Sequence, residues 1–156
     1  MELTIASLYG CRKPPGRAGT RRLRHAENPL KQSTPCLFCN PGKKVLENSL
    51  AYARFDDYPV SPGHLLIMPF RHMSDYFETT LAEKHAMLEL IEAAKLLLDS
   101  EHDPDGYNLG INCGAAAGQS VPHVHYHLIP RYQGDMENPR GGVRGVIPDR
   151  QKYQTL

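Results

Sequence analysis

His123-Val-His-Tyr-His-Leu-Ile129 is the stretch that decides how this chain is read. Its alternation has the period of a strand, so an extended backbone aims His123, His125 and His127 at one face. Val124, Tyr126 and Leu128 then point to the other. The β-branched Val124 and Ile129 suit a strand, and Pro130 marks its end. Three imidazoles on one face are poor core material, because each ring carries two nitrogens that need partners. Surface or core histidines without chemistry are the plain alternative. Stacked imidazoles point instead to a metal, an anion, or both.

The residues upstream narrow the choice. Gly114-Ala-Ala-Ala-Gly-Gln-Ser120 is small and flexible and runs into the histidines through Val121-Pro122. Such a loop lets backbone N–H groups approach an anion, and Ser120 adds a hydroxyl donor. By itself it could equally be an ordinary hairpin connection. Joined to the histidines as Gly118-Gln-Ser-Val-Pro-His-Val-His-Tyr-His127, it becomes specific. The segment resembles the histidine triad (HIT) family of nucleotide hydrolases and transferases, whose signature is His-φ-His-φ-His-φ-φ with φ apolar. All seven positions match, with Tyr126 filling one φ position.

The chain has 156 residues, enough for one domain with a proper core and too few for two comfortable ones. A formal charge of +1 gives no global argument for nucleic-acid binding. No apolar run is long enough to cross a bilayer, and the N-terminus lacks the order of a signal peptide. Of four cysteines, Cys36 and Cys39 form a Cys-x-x-Cys pair, while Cys11 and Cys113 stand alone, a pattern that fits a reduced compartment. A cytoplasmic location is therefore expected. Residues 1–34 hold Arg12, Lys13, Arg17, Arg21, Arg22, Arg24 and Lys31 against Glu2 and Glu27, without sustained periodicity. They read as a basic, disordered extension, either a solvated tail or an arm for nucleic acid or a membrane surface. The HIT resemblance begins near Pro35 and assigns residues 35–156 to the domain, with a basic tail over 131–156.

Within that domain strands and a helix follow one another. Ser49–Phe55 reads as a strand, broken by Asp57-Tyr-Pro-Val-Ser-Pro-Gly63; His64–Met68 reads as a second, closed by Pro69. Thr80-Leu-Ala-Glu83 is a capping-box pattern opening a helix over about 81–101, with Leu81, Leu88, Ile91 and Leu98 as its core face. After the Asp103–Gly106 turn, Tyr107–Asn112 is a third strand leading to the loop and the histidines. The order indicates an α+β domain with a mainly antiparallel sheet. The resemblance implies a HIT-like fold, five antiparallel strands with one long helix and a short one, paired into a homodimer.

Cys36-Leu-Phe-Cys39 precedes Asn40-Pro-Gly42, a turn suited to wrapping two thiolates around one ion. A redox pair is the alternative, but no thioredoxin-like βαβ pattern surrounds it. Zinc would need two further ligands, for which His72 and one triad histidine are candidates. Similarity to the zinc-containing branch of the family implies Cys36, Cys39, His72 and His123 around one structural zinc per chain. A closed Cys₂His₂ set leaves no open position for substrate.

With His123 so engaged, two imidazoles remain for chemistry. His125 is the expected nucleophile, attacking an α-phosphate to give a nucleotidyl-histidine that water then resolves. His127, Ser120 and backbone N–H groups near Gly118 and Gln119 are expected to balance phosphoryl charge, and His127 to protonate the leaving group. The resemblance adds Asp56 as a ribose ligand, Asn112 as a contact to phosphate or the 5′ oxygen, and His64 as a supporting histidine. It implies a hydrolase of dinucleoside polyphosphates or nucleoside phosphoramidates. A nucleotidyltransferase or phosphorylase using phosphate as acceptor and a non-catalytic nucleotide-binding module stay open. A purely catalytic metal held by the three histidines lacks an adjacent Asp or Glu ligand. Arg131 and Asn138-Pro-Arg-Gly-Gly-Val-Arg144 resemble the tail of a bacterial subgroup; Arg140 and Arg144 either reach distal phosphates or belong to a solvated loop.

Overall fold

A computed structural model describes residues 36–152. The basic arm over 1–34, with any role in binding nucleic acid, lies outside the described residues, as does Cys11. Five strands form one sheet: β1 (Leu46–Glu47), β2 (Ala51–Phe55), β3 (Leu65–Pro69), β4 (Gly106–Ile111) and β5 (Tyr126–Arg131). Their spatial order is β1-β2-β3-β5-β4, and every neighbouring pair is antiparallel. One α-helix, α1 (Leu81–His102), covers one face. The short helix takes the form of isolated 3-10 turns, among them Leu37–Cys39 and Tyr76–Glu78.

β3 explains its own composition. All five of its residues are buried, so it shows no alternation. Leu65 and Ile67 pack with Ala51, Ala53, Val124, Leu128 and the helix, while Leu66 and Met68 pack with Phe38 and Tyr52 on the opposite face. A central strand covered on both sides reads as a continuous apolar run.

The helix begins where its cap dictates. Thr80 accepts from the Glu83 N–H at 3.2 Å, and the Glu83 carboxylate accepts from the Thr80 N–H at 2.8 Å. Its inward face is Met87, Leu90, Ile91, Ala94 and Leu98. The expected face is corrected at two positions: Leu81 and Leu88 are 73% and 48% exposed. Leu88 stands roughly 100° around the helix from Met87, and Met87 with its i+3, i+4 and i+7 neighbours takes the core. Among the described residues, no helix is long and apolar enough to cross a membrane.

The histidine segment also differs from expectation at its boundary. β5 starts at Tyr126, so His123 and His125 precede the paired strand, and it runs through Pro130 to Arg131. Pairing with β3 ends at Leu65↔Leu128, so Pro130 lies past the last β3 partner, where its missing N–H is tolerated. The facing is nevertheless as the alternation requires. Val124, Tyr126 and Leu128 join the helix-side core, leaving the imidazoles on the opposite face.

Candidate active site

The loop after β3 is the hub of this face. Arg71 reaches the helix cap, donating from Nε and Nη2 to the two Glu83 oxygens at 2.7 and 2.8 Å. That guanidinium, with the cap hydrogen bonds, pushes the Glu83 carboxyl down to about 2. The next residues are thereby fixed: His72 faces the cysteines, the Met73 carbonyl accepts from the Val124 N–H at 2.8 Å, and the Ser74 carbonyl accepts from Gln119 Nε2 at 2.8 Å.

Cys36, Cys39, His72 and His123 converge as the sequence reading required, their ligand atoms all within 4.8 Å of one another. Cys36 Sγ lies 3.5 Å from His123 Nδ1, and Cys39 Sγ lies 3.3 Å from His72 Nδ1 and 3.8 Å from His123 Nδ1. A tetrahedral zinc with sulfur and nitrogen at their usual distances separates such ligands by roughly 3.5 Å. The tautomer of His123 also fits. Its ring is fully buried, and Nε2 lies 2.8 Å from the Pro69 carbonyl, which can only accept. The proton therefore sits on Nε2, and Nδ1 turns a bare lone pair toward the two sulfurs. Burial, then the adjoining Cys36, raises the Cys39 thiol pKa, since two thiolates side by side need a cation. The three described cysteines, Cys113 included, are free. The Tyr52 hydroxyl donates to the Phe38 carbonyl at 2.6 Å, tying this knuckle to β2.

His123 also fixes its neighbour. Its carbonyl accepts from His125 Nδ1 at 2.7 Å, so the His125 proton is on Nδ1 and Nε2 keeps its lone pair. The Phe38 ring stands edge-on to His125 at 5.0 Å between centroids, and the His127 ring lies 4.9 Å away on the same face. Burial lowers the His125 pKa, so the ring is held neutral.

A second chain of groups ends on His127. Asp56 Oδ2 lies 3.3 Å from His64 Nδ1, and His64 Nε2 lies 3.1 Å from His127 Nδ1. His64 Nδ1 also accepts from the Val60 N–H at 3.4 Å, and the contact between His64 Nε2 and His127 Nδ1 joins one donor and one acceptor nitrogen. Burial first, then His125 and His64, push the His127 pKa down to about 4. This ring is neutral in the free protein. Gly63 makes the approach of His64 feasible: its φ is +82°, and an added Cβ would lie 3.0 Å from Leu98 and His102 side-chain atoms.

Asp56, His64, Asn112 and His127 line one pocket of about 660 Å³. Asp56 Oδ1 accepts from the Tyr58 N–H at 2.9 Å, which leaves lone pairs on both oxygens for a further donor. The Gly118–Ser120 loop does not line that pocket. Two of its expected donors are corrected: the Gly118 N–H bonds the Ala115 carbonyl at 3.0 Å, and the Gln119 N–H bonds the Gly114 carbonyl at 3.2 Å. The loop curls into a 3-10 turn, Ala115–Ala117, and consumes them. Gln119 acts through its side chain instead, with Oε1 accepting from the Gly114 N–H at 2.8 Å and Nε2 bonding Ser74. Ser120 is exposed at the loop's end and has no hydrogen bond among the described residues. Arg144 donates to the Arg150 and Gln151 carbonyls at 3.0 and 3.3 Å, and Arg131 pairs with Asp135. Sequence reasoning missed Phe38 and the Gln119 side chain. The only trace of the first is an aromatic inside the Cys-x-x-Cys spacer.

The family model described as HIT domain matches residues 38–134. The AP-4-A phosphorylase of Mycobacterium tuberculosis is 34% identical over 102 residues, which cover 65% of this chain and 52% of that protein. The match thus spans about half the length of that curated relative. A HIT family protein from Bacillus anthracis shares the fold with a TM-score of 0.61 and 35% identity, over 64% of this chain and 75% of that one. A Zn-bound histidine triad family protein from Mycobacterium smegmatis aligns with a TM-score of 0.60 and 28% identity, over 66% and 79%.

Proposed function

We propose, for a chain that belongs to the HIT-domain family, that it is a nucleotide-processing enzyme working through a covalent nucleotidyl-His125. The carrying observation is the 2.7 Å contact from His125 Nδ1 to the His123 carbonyl, which leaves Nε2 as a fixed, neutral nucleophile. In the first step Nε2 attacks an α-phosphate, a P–N bond forms, and the bond from phosphorus to the leaving group breaks with its electron pair. In the second, water attacks the same phosphorus while His127 Nε2 takes its proton, the P–N bond breaks, and a nucleoside monophosphate departs. Ser120 and Asn112 supply neutral donors to the phosphoryl oxygens, and Asp56 the acceptor for ribose hydroxyls. The expected substrates are dinucleoside polyphosphates or nucleoside phosphoramidates.

Phosphorolysis is the second reading, in which phosphate replaces water. It is favoured by the 34% identity to a protein named AP-4-A phosphorylase. Cys36, Cys39, His72 and His123 would hold one zinc per chain, which when bound cross-links the knuckle to the segment carrying His125. The proposal includes a homodimer joined along β4, which ends the sheet and leaves a strand edge to be covered.

Acid-stopped intact-mass analysis tests the covalent step. His125→Ala should lose turnover by several orders of magnitude and yield no nucleotidyl adduct, while nucleotide binding survives. Wild-type protein should yield a base-stable, acid-labile adduct on His125. Turnover persisting in His125→Ala would overturn the covalent mechanism. Binding without turnover, with or without phosphate, would leave a binding module in its place.

A further inference from the structure

No acidic ligand for a cation stands beside the histidines in sequence, yet the fold brings one in from the end of β2. Among the described residues, one ligand atom each from Asp56, His64 and His127 lies within 4.8 Å of the other two. We propose that these three residues form a second metal site, separate from the Cys36, Cys39, His72 and His123 cluster, which takes a divalent first-row transition cation and thereby blocks turnover. The site stands on its own geometry, whereas the block on turnover rests on the covalent reading of His125.

Three observations carry it. First, the spacing fits. His64 Nε2 and His127 Nδ1 are 3.1 Å apart, and two imidazole nitrogens on one cation lie roughly 2.9–3.4 Å apart. Asp56 Oδ2 lies 3.3 Å from His64 Nδ1, where a carboxylate orients a ligating imidazole and offsets the charge of the ion. Second, the donors select the ion. Two imidazoles and a carboxylate suit zinc, cobalt, nickel or iron, whereas magnesium and calcium prefer oxygen alone. Burial lowers the pKa of His64 and brings that of His127 down to about 4, so both rings are neutral near pH 7 and ligate without first losing a charge. Third, the site is reachable. All three residues line the pocket of about 660 Å³, with His64 buried and Asp56 and His127 partly exposed. Three protein ligands leave positions for water, unlike the closed set of four at the cysteines.

The effect on turnover follows from where one proton sits. A neutral imidazole carries a single N–H, and in the free protein the contact with His64 lets His127 hold it on either nitrogen. A cation on Nδ1 confines that proton to Nε2, and the ring neither gains nor loses one. His127 Nε2 is the nitrogen assigned to take the proton of the attacking water, and Asp56 is assigned to the ribose. Both are withdrawn at once, so cation and nucleotide exclude one another.

Cobalt(II), titrated into the protein as purified, is the probe. One equivalent should bind with a visible ligand-field band and without the sulfur-to-cobalt charge transfer that cysteine ligation produces. Asp56→Asn and His64→Gln should each weaken this binding by about tenfold or more. Asp56 is partly exposed, so Asp56→Asn carries the test if His64→Gln fails to fold. Adenosine 5′-monophosphate should raise the cobalt midpoint, and turnover of diadenosine tetraphosphate should fall with the midpoint of the band. Cobalt entering only with the charge-transfer band, or binding unchanged in Asp56→Asn, would overturn the site. Cobalt bound at the site with turnover unchanged or raised would overturn the block and leave the covalent reading intact. If wild-type protein turned over no nucleotide, the covalent reading and the block would fall together, while the band and its loss in Asp56→Asn would still decide the site.

Discussion

Gln119→Met isolates what the loop before the histidines contributes. The substitution keeps volume and removes both polar ends: Oε1, which accepts from the Gly114 N–H, and Nε2, which donates to the Ser74 carbonyl, each at 2.8 Å. A neutral hydrogen bond is worth about 0.5–1.5 kcal/mol net. The Gly114 end is open to water, which puts the pair at about 1–2 kcal/mol. At 1.36 kcal/mol per tenfold, the equilibrium constant for the ordered loop falls about 5–30-fold, and kcat/KM should fall by up to that factor if Ser120 must be presented by that loop. Gln119→Glu should be worse than Met, because it retains the acceptor for Gly114 but sets a carboxylate against the Ser74 carbonyl. The readouts are kcat/KM on a dinucleoside polyphosphate and amide exchange at Gly114, whose N–H the Gln119 side chain protects. If Gln119→Met exchanged faster at Gly114 yet kept kcat/KM within about twofold, loop order would be irrelevant to turnover and the reasoning wrong. Wild-type behaviour of Gln119→Glu would refute the assignment of the two bonds.

Protein purified without added metal should carry about one zinc per chain by elemental analysis, and Cys36→Ala should lower stability far more than the chemical rate of the folded fraction; zinc-free protein in the reduced state would sink this. For pH, a depressed imidazole stays proton-free to lower pH, so with His127 at about 4 the acid limb of kcat/KM should lie well below the ordinary histidine value of 6.5. Stability changes over the same window: the unfolded chain binds a proton near 6.5 and the folded one only near about 4, so stability falls as pH drops between them. A limb centred at 6.5 would contradict the partly buried Asp56–His64–His127 arrangement. Light scattering at micromolar concentration should find a dimer; a monomer would refute pairing along β4.

How much of this was legible in the sequence depended on whether a pattern was local. The capping box at Thr80 and Glu83 and the alternation of the histidine segment are set by residues a few positions apart, and both hold in three dimensions. The helix face was misjudged at Leu81 and Leu88 because leucines on several sides of α1 make more than one stripe plausible, and only the sheet beneath decides between them. The donors at Gly118 and Gln119 failed for a related reason. A glycine-rich loop advertises accessible N–H groups, but those groups can equally close on their own carbonyls, and here the 3-10 turn takes them.

The site itself was legible as a set of residues but not as a circuit. The candidate metal ligands and the triad histidines could be named from spacing and resemblance, whereas the polar partners of each ring lie far away in sequence. Pro69, 54 residues from His123, fixes the proton on Nε2 and frees Nδ1 for the thiols. Asp56 and His64, distant from His127 in sequence, form the chain of polar groups that ends on its Nδ1. The three imidazoles are identical in sequence, and each becomes a different chemical object through one carbonyl, one peptide neighbour and one carboxylate. Two of those partners are backbone carbonyls, so Asp56→Asn is the substitution that should alter the state of its histidine while both carbonyls stay in place.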